Sequence, residues 1–169
     1  IGSRVLYKGI KQSINDIPYI KGSNFNKYTD VHLENYLRHN YQDFLNENDV
    51  FRFSDSLLKT TPKLIYRQTS SELIATVDVN GHLTDKTVHI IVNRNNFSEN
   101  LYFLLVLFNS SLYQYLYTSA TNEEGRAFAQ VKTINVKKLA YIQIEETLQK
   151  PFVEKSDEML ILNKKLKDI

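Results

Sequence analysis

Apolar residues recur every three or four positions within Phe97 to Tyr117, at Leu101, Leu104, Leu105, Phe108, Leu112 and Leu116. That period puts them on one face of a helix. Val106 and Leu107 widen the stripe, so this helix is expected to touch other elements on more than one side and to organise the core. Asn96, with Glu99 three residues on, is a loose start signal. Asn109-Ser110-Ser111 places three side chains that compete with the backbone in mid-helix, where a bend or a tight packing contact is expected. The unbroken apolar run from Leu101 to Phe108 is far short of the roughly 20 residues of a membrane span.

The same patterning predicts the flanking elements. Arg4 to Ile10 reads as a strand entering a turn at Gly9, and Asp16 to Ile20 resumes extended structure because Pro18 disfavours helix before it. Thr29-Asp30 can cap a helix carrying Leu33, Leu37, Tyr41, Phe44 and Leu45 to about Asn46. Val50 to Phe53 alternates as a short strand. Lys63 to Thr69 is a strand, and Leu73 to Val79 alternates toward Asn80-Gly81, the strongest short hairpin signal, with Lys86 to Asn93 as the return strand. Ser119 to Val131 reads as loop and Thr133 to Ile144 as strand or mixed structure. Pro151 opens a last helix with Met159, Leu162, Leu166 and Ile169 on one face, a stripe that needs a partner surface. The expected class is α/β in the α+β sense: a mixed, largely antiparallel sheet packed on a central apolar helix, with a C-terminal helix. Residues 1–148 are expected to form one domain and 149–169 a packing or linker helix.

Composition narrows the function classes. The 169 residues are 42% hydrophobic and 24% charged, which are globular values, and there is no cysteine. Disulfides, cysteine-ligated zinc and a thiol nucleophile are thereby excluded, and a reducing cytoplasm is the expected compartment. The N-terminus has no signal-peptide character because Arg4, Lys8 and Lys11 interrupt any apolar core. A start at Ile1 instead of methionine is what a piece of a longer polypeptide would show. Net charge is only +2, but residues 1–70 carry ten Lys/Arg against seven Asp/Glu whereas 71–118 carry two against four. The N-terminal half is therefore where a basic surface is expected.

Catalytic constellations are missing from the sequence. His32, His39, His82 and His89 lack metal-ligand spacing, and there is no nucleophile-elbow serine motif, no glycine-rich phosphate loop and no Asn/Asp-Pro-Pro-aromatic segment. Glu123-Glu124 and Glu145-Glu146 are adjacent acids that point apart or into solvent. No catalytic residue and no metal site is expected, a hydrolase built on Asp78, His82 or His89 being the remote exception. What remains is binding: eleven tyrosines, several beside basic residues as in Tyr7-Lys8, Lys27-Tyr28 and Tyr66-Arg67, suit stacking on bases and gripping phosphates. Equally, such tyrosines can be boundary residues with rings packed inward.

Several stretches taken in order carry a resemblance. Gly9 to Asp16 is similar to a Gly-Ile-Lys-Thr-Gly-x-Asn segment, departing at Gln12 and Ser13, and Ile20 to Tyr28 to an Arg-Gly-x-Asp-Ile-x-x-Tyr segment. Pro62 to Thr69 resembles a strand that begins Pro-Lys-Ile, and Leu107 to Leu112 a Leu-Asn-Ser helix end. Gly125 to Lys132 followed by Leu139 to Ile142 resembles a loop and a Leu-Pro-Ile strand, with Ala140 in place of proline. Pro151 to Leu166 looks like the helix that follows such domains. Together they resemble the TaqI-like C-terminal specificity domain, the target recognition domain of adenine-N6 DNA methyltransferases and fused restriction-modification enzymes, and the recognition domains of type I specificity subunits.

The resemblance implies a non-catalytic module of a bacterial, cytoplasmic phage-defence system. Such a module enters the major groove of double-stranded DNA and selects the site. A methyltransferase domain in the same or a partner chain then methylates adenine with S-adenosylmethionine; no cofactor belongs to this fragment, and no membrane partner is expected. Candidate DNA contacts are Lys11, Lys21, Lys27, Arg67, Gln68, Arg126, Gln130 and Lys132. Arg and Gln can present two hydrogen-bonding atoms to a base edge, while lysines more often serve phosphates. The competing expectation is a protein-assembly domain using the C-terminal helix.

Overall fold

The apolar stretch forms two helices in place of one. The structure, a computed structural model, describes residues 2–50, 59–93, 100–121 and 129–167. In chain order it has α1 (Gly2–Val5), β1 (Leu6–Lys8), β2 (Ile17–Ile20), β3 (Asn35–Leu37), β4 (Lys63–Arg67), β5 (Ala75–Asp78), β6 (Leu83–Thr84), β7 (Val88–Ile91), α2 (Leu101–Asn109), α3 (Ser111–Ala120), α4 (Thr133–Val136) and α5 (Glu146–Lys167). Single 3-10 turns occupy Gly22–Asn24 and Tyr41–Phe44. The class is mixed α and β, with two mostly antiparallel sheets, a central helix and a C-terminal helix. Among the described residues no helix is long and apolar enough to cross a membrane.

The break between α2 and α3 falls where the polar triplet predicted it. Ser110 is extended, at φ −73° and ψ 153°, and serves both helices. Its hydroxyl donates to the Leu107 carbonyl at 2.6 Å and accepts from the Tyr113 N–H at 3.2 Å. Asn109 is buried, and its amide faces a sheet edge: Oδ1 accepts from the Ala75 N–H at 2.9 Å and Nδ2 donates to the Ala75 carbonyl at 3.0 Å. Since β5 is an edge strand, Asn109 supplies the main-chain partners that a further strand would have given. The start of α2 is capped by Asn100, whose side chain accepts from the Tyr102 N–H at 2.8 Å; Asn96 and Glu99 lie outside the described residues.

One sheet has the order β1-β3-β2-β6 and the other β5-β4-β7. β3 pairs antiparallel with β1 (Tyr7 opposite Tyr36) and with β2 (Pro18 opposite Tyr36), while β6 joins β2 in parallel (Tyr19 opposite Leu83). β4 is central in the second sheet, with Leu64, Ile65 and Tyr66 buried. The main core joins Leu64, Tyr66, Leu73 and Ala75 to Leu101, Phe103, Leu105, Phe108, Tyr113, Tyr117 and Val131. Ile20, Phe25, Ile65 and Val88 form a smaller cluster that seats one sheet against the other.

Several elements differ from expectation. Leu33 to Asn46 is no helix: β3 and a 3-10 turn take its place. Asn35 is buried and donates to Asn24 Oδ1 at 2.8 Å, and ladders on both flanks of β3 outweigh the helical period. Arg4 belongs to the short α1, with only Leu6 to Lys8 extended. Asn80-Gly81 does turn, Gly81 at φ +70°, but β5 and β7 never pair. They flank β4 on opposite sides, because that buried strand needs a partner on each edge, and the chain between them visits the other sheet as β6. Thr133 to Ile144 holds α4 and irregular chain, with no strand. One of its carbonyls is served by a tyrosine instead: the Tyr113 hydroxyl donates to the Ala140 carbonyl at 2.9 Å. The expected strand at Val50 to Phe53 lies almost wholly outside the described residues.

The last helix begins at Glu146 and contains Pro151 in its interior. Proline removes one intrahelical bond, to the exposed Thr147. Gln149, Val153, Ser156 and Leu160 turn inward, and Phe152 meets Phe103 with ring centroids 5.6 Å apart. Met159, Leu162 and Leu166 stay exposed on another face, and Ile169 lies outside the described residues.

Candidate functional site

β1 and β2 both run antiparallel to the β3 between them, so they are parallel to each other and the chain joining them must cross the sheet. This crossover, residues 9–16, passes over Tyr7. It is fastened by the buried Asp16 carboxylate, which accepts from the Tyr7 hydroxyl, the Ser13 N–H at 3.0 Å and the His39 N–H at 3.0 Å, and meets His39 Nδ1 at 2.9 Å. The Tyr7 hydroxyl, followed by His39 and the main-chain donors, holds the Asp16 carboxyl well below the usual carboxylate range despite burial. The Gln12 N–H donates to the Tyr7 hydroxyl at 2.8 Å, and Lys11 Nζ to the Ile14 carbonyl at 2.7 Å.

Aromatic rings and cations collect around this loop. Tyr7 and Tyr36 stack across β1 and β3 with centroids 5.5 Å apart. The Arg38 guanidinium lies 5.3 Å from the Tyr7 ring and from the Phe44 ring, and donates to Gln12 Oε1 at 2.9 Å. Lys21 Nζ sits 5.6 Å from the Tyr19 ring centroid, and Lys21, Tyr19, Tyr7 and Lys8 line one shallow depression. Lys8 is matched by Glu34 at 3.1 Å. Among the described residues no carboxylate stands within ion-pair distance of Lys11, Lys21 or Arg38.

The other candidates gather at the end of β4. Gln68 donates its N–H to the Thr87 carbonyl at 2.8 Å, and its own carbonyl accepts from the Val131 N–H at 2.7 Å. Thr69 bridges Gln130 in antiparallel fashion. The Tyr117 hydroxyl clamps this crossing, donating to the Gln130 carbonyl at 3.0 Å and accepting from the Lys132 N–H at 3.1 Å. Val131 is thereby buried, with Gln130 and Lys132 exposed on either side of it. Gly22 connects the two groups, since its N–H donates to Thr87 Oγ1 at 2.9 Å and a Cβ there would stand 3.2 Å from the Thr87 carbonyl and 3.6 Å from Arg67 Cγ. A chain of contacts thus runs from the crossover loop through Lys21 and Gly22 to Gln68, Gln130 and Lys132.

Arg67 is turned inward. Its guanidinium donates to the Phe25 carbonyl and, at 3.1 Å, to Asn26 Oδ1, and lies 5.7 Å from the Phe25 ring centroid. Burial pushes its pKa down, and Nε has no hydrogen-bond partner among the described residues. Lys27 is matched by Glu72 at 3.2 Å. Arg126 lies outside the described residues. Gln12, Arg38 and Tyr36 escaped sequence reasoning; the departure from the family segment at Gln12 was the one signal available.

The acids and histidines do not converge. Asp78 and His82 share a contact of 2.9 Å, but the same carboxylate accepts from the Asn80 and His82 N–H groups and pairs at 3.3 Å with Lys63, which is fully buried. Burial raises the Asp78 carboxyl, yet the bonds from His82 and Asn80 and the Lys63 charge outweigh it and leave it below its ordinary value. His89 packs on Tyr66 instead, at 5.1 Å. No three described His, Asp or Glu residues are grouped to hold a metal ion.

Residues 17–140, beginning directly after the crossover loop, match the family model described as the TaqI-like C-terminal specificity domain. No curated protein matches the chain.

Proposed function

The chain belongs to the TaqI-like C-terminal specificity domain family, and from that premise we propose that it selects the DNA site at which an adenine-N6 methyltransferase or restriction-modification enzyme acts, without catalysing the reaction itself. The observation that carries this reading is the set of cations with neutral contacts, Lys11 and Arg38 beside Tyr7 and Lys21 over the Tyr19 ring. In this scheme the lysines and Lys132 grip phosphates and set register. Gln12, Gln68 and Gln130 are the groups able to pair with adenine edges in the major groove, Arg38 and Arg126 those able to pair with guanine. Arg67 acts by holding Phe25 and Asn26 in place. A methyltransferase domain, in the same or a partner chain, carries S-adenosylmethionine as methyl donor.

Recovery and sequencing of duplexes bound from a random-sequence pool tests this directly. Enrichment of one short motif is expected; recovery of an unselected pool, or no recovery at low salt, would remove the recognition role. The exposed Met159, Leu162 and Leu166 favour a second reading, assembly through α5. Such assembly is apolar and insensitive to salt, whereas phosphate contacts weaken steeply with it.

A further inference from the structure

Ile10 and Ile14 are 92% and 88% exposed, the most exposed large apolar side chains among the described residues. Their backbone is fastened: Asp16 gathers the Tyr7 hydroxyl and the Ser13 and His39 N–H groups, the Gly9 N–H donates to the Glu34 carbonyl at 2.9 Å, and Lys11 Nζ ties down the Ile14 carbonyl. The loop therefore holds two isoleucines out in water, where they bury almost nothing within the chain. Two side chains fall far short of the roughly 1,000 Å² that a specific protein interface buries. They flank Lys11 and Gln12, and Arg38 touches Gln12, so the apolar tips sit beside positive charge, the loop's own carboxylate, Asp16, being buried. An anionic partner with small apolar groups at its surface fits this combination. In duplex DNA the apolar group open to the major groove is the thymine 5-methyl.

Resting on the DNA-recognition reading above, we infer that Ile10 and Ile14 read thymine through its methyl group, while Lys11 and Gln12 hold the loop to neighbouring phosphate and base edges. The crossover loop is then a specificity-determining element. Each methyl buried against isoleucine contributes about fourfold in affinity, the equivalent of one buried methylene.

The test uses the duplex enriched from the random pool, made in parallel with deoxyuridine at each thymine in turn, which removes only the methyl. The wild-type protein is expected to lose about fourfold in affinity at one or two of these positions. The Ile10→Ser/Ile14→Ser variant is expected to bind the thymine duplex as weakly as wild type binds the uracil duplex, with no further loss on uracil. Its thermal unfolding and salt dependence should match wild type, both side chains being exposed. An enriched motif of G·C pairs only, a uracil penalty undiminished in the variant, or no penalty at all would overturn the inference while leaving DNA recognition standing. Failure to enrich any sequence would instead remove the recognition reading itself.

Discussion

Asn109 does the work of a strand. Its amide satisfies both main-chain groups of Ala75 on the open edge of β5, at 2.9 and 3.0 Å, in a fully packed setting. Asn109→Ala strands the buried Ala75 N–H and leaves its carbonyl only the Tyr28 N–H at 3.3 Å, and a loss of about 1–3 kcal/mol is expected in denaturant unfolding; a change within a few tenths would mean that water replaces the amide. Asp16 governs a pH response. Its pKa is depressed in the folded chain, chiefly by the Tyr7 hydroxyl, so its contribution is present above the unfolded carboxylate value near about 4 and is lost as pH falls through the lower folded value. Wild type should lose melting temperature between neutral and strongly acidic pH more steeply than Asp16→Asn, whereas parallel declines would exclude Asp16 as the cause. At this scale the sequence was legible where chemistry is local: Ser110 and Asn109 were marked as helix-breaking or close-packed. It marked Arg67 as a DNA contact without fixing its direction, because whether a guanidinium faces solvent or the Phe25 carbonyl depends on a loop more than forty positions away. Arg67→Ala therefore tests the placement of that loop before it tests DNA contact.

Among the elements, the C-terminal helix divides its apolar residues between two faces. Val153 and Leu160 pack on the core beside α2, while Met159 and Leu162 are 42% and 48% exposed. Leu160→Lys should lower the melting temperature by several degrees, Leu162→Lys hardly at all; equal losses would place the exposed stripe inside a contact. The sequence period marked the Met159, Leu162 and Leu166 stripe and passed over Val153 and Leu160, since a stripe reveals that something is apolar, and burial is decided by what the rest of the chain brings alongside. The same limit explains the lost hairpin and the lost helix. Asn80-Gly81 encodes a turn correctly, but strand partners are chosen by β4, whose buried run demands two neighbours. Leu33 to Asn46 has a helical period, and pairing on both flanks of β3 overrides it.

For the whole molecule, the question is whether scattered cations form one face. Lys11 and Lys21 belong to the loop and depression around Tyr7, Gln68, Gln130 and Lys132 to the end of β4, and Gly22 with Thr87 joins the groups. Sequence order hides this, because residues 11, 38, 68 and 130 meet only through the crossover loop and through the strand-like pairing of Thr69 with Gln130. A net charge of +2 hides it too, since a sum does not show which cations are matched by acids, as Lys8, Lys27 and Lys63 are. The most direct measurement is the salt dependence of binding to duplex DNA, for the wild-type protein and for Lys11→Ala/Lys21→Ala. A steep linear fall of log affinity with log salt is expected for wild type, with the slope reduced by about two in the double variant as two phosphate contacts are lost. A slope unchanged by the substitutions, or binding indifferent to salt, would contradict the assignment of this face to DNA.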